Sequence, residues 1–161
     1  MYEYKCKVLR VVDGDTVDVD IDLGFGVWLH RERVRVMGID TPESRTRDKV
    51  EKKFGLAAKS HVKDMLPIGS IQILKTEVDK SGEDAKGKFG RILGDFLLDQ
   101  DDGSIKRLTE IMIEDGHAVP YFGGSKEEVQ MKHMANREKL LREEVVSKAD
   151  YDEAIAIMES E

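Results

Sequence analysis

Val11-Val12-Asp13-Gly14-Asp15-Thr16-Val17-Asp18-Val19-Asp20-Ile21-Asp22-Leu23 decides the fold. Asp13-Gly14-Asp15-Thr16 is a turn or bulge, because Asp and Gly tolerate tight backbone conformations. After it Val17, Val19, Ile21 and Leu23 alternate with Asp18, Asp20 and Asp22. That two-residue period predicts a half-buried strand with an acidic outer face. Upstream, Tyr2 to Val12 alternates as well, with Tyr4, Cys6, Val8 and Val12 on one face. Downstream, Gly24-Phe25-Gly26 punctuates the pattern and Val27 to Met37 reads as a third strand, which makes a meander.

Beyond the meander, Thr41 to Lys49 is polar, contains Pro42, and reads as a loop. Val50 to Leu66 fits a helix, since Val50, Phe54, Ala57, Ala58, His61, Val62, Met65 and Leu66 fall at helical spacing. Pro67 and Gly69 stop it. Ser70 to Glu77 and Gly90 to Asp99 read as strands around a polar loop from Asp79 to Gly87. Ile105 to Asp115 predicts a short helix closed by Gly116. Val119 to Gly124 reads as irregular. Ser125 can cap a helix from Lys126 to about Val146, with Glu128 at the capping-box position. Five short strands with a helix between the third and fourth is the order of a small closed OB barrel. The expected class is therefore α+β: a five-stranded OB-fold β-barrel with about three packed helices. The expected domain covers residues 1–146, followed by an acidic C-terminal helical tail over 147–161.

Composition narrows the function classes. The 161 residues include 26 Lys and Arg against 33 Asp and Glu, a net charge of −7, with 40% hydrophobic residues. A core can be buried, and no run approaches the ~18 apolar residues of a membrane span. Cys6 is the only cysteine, which excludes an internal disulfide or a multi-cysteine metal site. Charge is unevenly spread: 15 basic and 10 acidic residues lie between Arg31 and Arg91, so the middle carries +5 and the remainder −12. An acidic chain with a basic middle can hold a polyanion at one face. Met1 to Cys6 carries no basic-then-apolar export pattern, so a cytoplasmic location is expected. A monomer is the default expectation.

Three islands carry the chemistry. They are Asp13-Gly14-Asp15-Thr16-Val17, then Arg35-Val36-Met37-Gly38-Ile39-Asp40-Thr41-Pro42-Glu43, then Lys88-Phe89-Gly90-Arg91. Each also has an ordinary reading: Asp-Gly marks a turn, Thr-Pro-Glu opens a loop or caps a helix, and Arg91 is a solvent-facing strand residue. Arg35 and Arg91 present planar forks suited to phosphate oxygens. Asp18, Asp20 and Asp22 imitate the start of an EF-hand loop, but Leu23 and Leu29 occupy the positions where that loop needs Gly and Glu, so this site is rejected. His30, His61, His117 and His133 are scattered and form no zinc spacing.

Together the D-G-D-T-V, R-x₄-D-T-P-E and K-[YF]-G-R strings resemble the staphylococcal nuclease (thermonuclease-like) family, over most of residues 4 to about 146 and in the same order. The resemblance implies a Ca²⁺-dependent endonuclease acting on DNA or RNA with low sequence specificity and leaving 3′-phosphate ends. It implies Asp15, Asp40 and Thr41 as Ca²⁺ ligands, with Asp13 orienting a metal-bound water. It implies Arg35, Arg91 and Glu43 as catalytic residues, Glu43 orienting or deprotonating the attacking water. Asp15 and Asp40 offer hard anionic oxygens and Thr41 a backbone carbonyl, the donor types that Ca²⁺ takes. A glutamate beside a cation and two arginines is expected to have a low pKa, and so to be a weak base. Lys88, Phe89 and Tyr121 are the implied substrate contacts. The match at Tyr121 slips by about one residue around Pro120, and Phe89 stands where the family often has tyrosine. The absence of an export pattern suggests an intracellular or phage-related role. The rival reading is a nuclease-like OB module that has lost catalysis and binds nucleic acid or a protein partner.

Overall fold

The computed structural model describes residues 2–77, 86 and 90–161. Three long strands open the chain: β1 (Glu3–Asp13), β2 (Thr16–Asp22) and β3 (Trp28–Val36). A two-residue β4 (Ile39–Asp40) precedes α1 (Lys49–Met65). Then come β5 (Ile71–Thr76), β6 (Ile92–Asp99), β7 (Ile105–Arg107), α2 (Leu108–Glu114), β8 (Val119–Pro120), α3 (Lys126–Arg142) and α4 (Lys148–Glu159). The sheet order is β3-β2-β1-β5-β6-β7, and β3 also pairs in parallel with β6. That last pairing closes five strands into an OB barrel, with β7 added at its edge. Closure removes the unpaired edges that an open five-stranded sheet would expose.

The barrel interior is aliphatic. Cys6, Val8, Val11, Val17, Val19, Ile21, Val34, Val36, Leu74 and Phe96 are buried in one cluster, capped by Ala58, Val62 and Leu66 of α1. The strict alternation expected of β1 fails at one point. Two bulges shift its register on β2, between Val8 and Arg10 and between Val11 and Asp13. Each inserts one extra residue and so swaps the inward face. Val11, not Val12, therefore fills the core.

The acidic outer face of β2 is structural. Asp18 pairs with Arg33 at 2.9 Å, Asp20 accepts from the Arg31 amide, and Asp22 accepts from the Gly24 amide. Each carboxylate braces the β2–β3 hairpin. Phe25 at its tip is fully exposed, at a φ of 56°.

The helices match their local signals. Asp48 caps α1 by accepting from the Val50 and Glu51 amides, and Ser125 caps α3 by accepting from Glu128. A second apolar cluster joins α1, α3 and α4 through Val50, Phe54, Leu140, Val146 and Ala154. Tyr151 of α4 meets the Phe54 ring edge-on at 6.2 Å, while Arg137 lies over that ring. The acidic C-terminal helix thus packs on α1.

Two expectations need correction. Ile105 to Arg107 is strand, not helix, because it pairs with Leu97 to Asp99 of β6. Val119–Pro120 is not irregular: it pairs with Ile39–Asp40 in a separate two-stranded sheet. The expected loop from Asp79 to Gly87 lies outside the described residues except for Lys86, which bridges to Ile92. Among the described residues no helix is long and apolar enough to cross a membrane.

Candidate active site

A cleft of about 610 Å³ opens where the β1–β2 turn, β3, β4 and the start of β6 meet. Val12, Asp13, Asp15, Thr16, Arg33, Arg35, Asp40, Glu43 and Arg91 line it. Three segments distant in sequence supply these groups, and the closing β3–β6 pair brings Arg35 and Arg91 to one side. Arg35 pairs in register with Leu93, two residues beyond Arg91.

The turn between β1 and β2 depends on Gly14. A Cβ there would come within 3.0 Å of the Ala58 Cβ and 3.3 Å of the Thr41 side chain. The Asp13–Asp15 turn thus rests directly on α1 and on the Thr41 side chain. Asp13 accepts from the Gly14 amide at 3.0 Å, and Asp15 Oδ1 accepts from Thr16 Oγ1 at 2.9 Å. Those bonds orient both carboxylates.

Asp40 is placed by two contacts that sequence reasoning missed. Its backbone pairs with Val119 across β4–β8. Its Oδ2 lies 2.7 Å from Nε2 of His133, a histidine almost wholly buried on α3. Among the described residues the other carboxylate oxygen, Oδ1, accepts no hydrogen bond. No local pattern marks His133, because the pair spans 93 positions of sequence.

Arg35 is less free than its fork suggests. Its guanidinium donates to the carbonyls of Val36 and Ile39, and Nη2 lies 3.3 Å from Asp15 Oδ2. These contacts fold the side chain across the β3–β4 turn and fix it beside Asp15. Arg91 is half-buried in the same cleft.

The electrostatics at Glu43 are those of the protein groups alone, with no bound cation beside it. Its carboxyl is pushed above the ordinary glutamate range, first by desolvation against the cleft wall and then by Asp13, Asp15, Glu51 and Asp40. The protein's own carboxylates outweigh the arginines there. The Glu43 amide donates to Glu51 of α1, and Gly55 lets α1 reach the Glu43 carbonyl.

This imbalance bears on a cation. Four carboxylates and three guanidiniums line the cleft, and the excess negative charge falls on Glu43. Among the described residues no three His, Cys, Asp or Glu side chains are grouped so that they alone could hold a metal ion. Two carboxylates and one carbonyl are an open donor set, which suits Ca²⁺ because it fills 6–8 positions and shares them readily with water and substrate. The residues present fit such an ion.

Tyr121 does not line this cleft. It stands in a neighbouring pocket with Met37, Gly38, Leu93, Phe122 and Asp95, its amide bonded to the Gly38 carbonyl. Lys88 and Phe89 lie outside the described residues. Asp18 faces Arg33 and makes no contact with the ligand carboxylates that the structure records.

Comparison with known proteins completes the picture. A family model described as Staphylococcal nuclease homologue matches residues 33–147. A micrococcal nuclease from Shigella flexneri is 26% identical over 130 residues, 80% of this chain and 66% of that protein. A thermonuclease from Staphylococcus intermedius is 33% identical over 103 residues, 64% of this chain and 54% of the relative. The SPbeta prophage-derived endonuclease YokF of Bacillus subtilis (strain 168) is 29% identical over 109 residues, 68% of this chain but 31% of its own length. The aligned parts thus cover between about a third and two thirds of these relatives.

Proposed function

Because the chain belongs to the Staphylococcal nuclease homologue family, we propose that it is a nuclease hydrolysing phosphodiester bonds of DNA or RNA, with Ca²⁺ as cofactor and 3′-phosphate products. The observation that carries this reading is one cleft lined by Asp13, Asp15, Asp40 and Glu43 together with Arg35 and Arg91. Carboxylates alone would repel a phosphodiester; arginines alone would bind it without supplying a base. Both sets side by side suit hydrolysis.

In this reading Asp15, Asp40 and the Thr41 carbonyl would hold the ion, which would supply positive charge to offset the negative charge of the phosphate. His133 fixes the rotamer of Asp40 so that one oxygen points to the cleft. Arg91 and the uncommitted donors of Arg35 bind the equatorial phosphate oxygens, whose negative charge grows as water adds. Stabilising that growth more than the resting ester is what raises the rate. Glu43 accepts the proton of the attacking water, and Asp13 helps orient it. The leaving 5′-oxygen departs opposite the water.

The test is digestion of single-stranded DNA and RNA with Ca²⁺ and with EDTA, followed by end-group analysis. Cleavage in Ca²⁺, none in EDTA, and 3′-phosphate ends are expected. Cleavage unaffected by EDTA removes the metal assignment, and 5′-phosphate ends remove the direction of attack. No cleavage of either polymer removes the nuclease reading.

A further inference from the structure

Helix α1 touches both backbone segments that make the cleft wall. A Cβ on Gly55 would lie 2.2 Å from the Glu43 carbonyl oxygen, so α1 and the Glu43–Ser44 backbone are in direct contact. One turn on, Ala58 abuts Gly14. Cations cluster around these two contacts. Arg45 follows Ser44, Lys59 follows Ala58, Lys63 stands one helical turn further, and Arg10 precedes the Asp13 turn on β1. Arg10, Arg45 and Lys63 are exposed and Lys59 is half-buried.

These four differ from the ion-paired cations of the molecule. Arg33, Arg35, Lys106 and Lys148 each face a carboxylate. Among the described residues none of Arg10, Arg45, Lys59 and Lys63 makes an ion pair. They also crowd one another. The Lys59 ammonium is pushed below the ordinary lysine range by partial burial, then by Lys63, Arg45 and Arg10, with Asp13 of the cleft opposing. In a chain of net charge −7, a knot of unpaired cations beside the cleft is a surface short of anions.

We propose that Arg10, Arg45, Lys59 and Lys63 form a phosphate track that holds the flank of a nucleic-acid strand where it leaves the cleft. The nature of the ligand rests on the nuclease reading; the track's position does not. Phosphodiesters fit because they repeat a single negative charge along a chain, matching separate cations better than one multivalent anion does. The track serves long strands and leaves a dinucleotide untouched, since a dinucleotide ends within the cleft.

The experiment compares wild type with Arg10→Gln/Lys59→Gln/Lys63→Gln and with Lys126→Gln/Arg142→Gln/Lys148→Gln, which removes equal charge elsewhere. Binding of a labelled single strand of about a dozen nucleotides is followed by anisotropy in EDTA across a salt series. Single strands give a slope of roughly 0.7 per phosphate contact in log affinity against log salt. The track variant is expected to lose about 2 from that slope and at least tenfold in low-salt affinity, while the control variant keeps the wild-type slope. In Ca²⁺, dinucleotide cleavage is unchanged. Lys59→Gln alone, with a slope lower by about 0.7, decides the matter if the triple variant fails to fold. Equal slopes in wild type and track variant overturn the proposal, as does an equal loss in the control. A wild type that binds and shows the track but cleaves nothing overturns the nuclease reading alone.

Discussion

Two carboxylate–histidine pairs of the same length occupy two regions of this molecule. Asp40 meets His133 at 2.7 Å in the cleft, and Asp115 meets His61 at 2.7 Å where α1 passes the end of α2. Around Asp40 the neighbours are carboxylates, enough to push Glu43 upward. Around the Asp115–His61 pair they are mixed: the His117 ring lies 4.7 Å from that of His61, Lys139 bonds the Glu114 carbonyl, and His61 lines an open pocket with Asp64, Asp99 and Asp101. His117 itself is buried with Nδ1 unpartnered, and burial followed by His61 pushes its pKa down to about 4. One region gathers four carboxylates beside the arginines of the cleft. The other holds a histidine neutral and is suited to hold two helices. The pair is the same; the surroundings decide its use.

The largest expected effect sharpens the cleft side. Arg91→Ala should lower the cleavage rate about 10²–10³-fold, the usual loss of one transition-state donor, with the thermal midpoint little changed; steady-state kinetics and a melting curve read both. Next comes pH, which probes the other region. His117 has a folded pKa below its unfolded value of 6.5. The unfolded chain therefore binds the extra proton, and stability falls as pH drops from about 6.5 towards about 4, by no more than about 3 kcal/mol. Urea titrations at steps across that window should show the slope, and His117→Leu should flatten it. Third, His133→Ala should weaken Ca²⁺ binding about 10–100-fold by calorimetry, the usual cost of losing a group that orients a metal ligand. Smallest is His61→Ala, which should cost about 1 kcal/mol of stability and leave Ca²⁺ affinity unchanged. If His61→Ala and His133→Ala shift Ca²⁺ affinity alike, the contrast between the regions is lost.

Much of this was legible beforehand. The alternation of Val17, Val19 and Ile21 placed β2, the spacing of Phe54, Ala58 and Val62 placed α1, and the β-β-β-α-β order pointed to the closed barrel. Asp15, Arg35, Asp40, Glu43 and Arg91 were picked from three short strings, and all five line one cleft. The inward face of β1 beyond Val8 was misread, because a bulge changes parity without changing residue types. β7 and β8 were missed because three- and two-residue strands exist only through their partners. The upward push on Glu43 from the protein's own carboxylates sums groups from three separate segments, which no local pattern displays.

The sequence by itself determined the elements and the chemical kinds of side chain, since propensity, periodicity and capping act between residues a few positions apart. Tertiary structure alone decided that His133 reaches Asp40, that Arg35 spends part of its fork on Val36 and Ile39, and that Glu43 sits among carboxylates. Electrostatic energy depends on distance through space and on the water excluded between charges. Neither quantity exists until the chain has closed on itself.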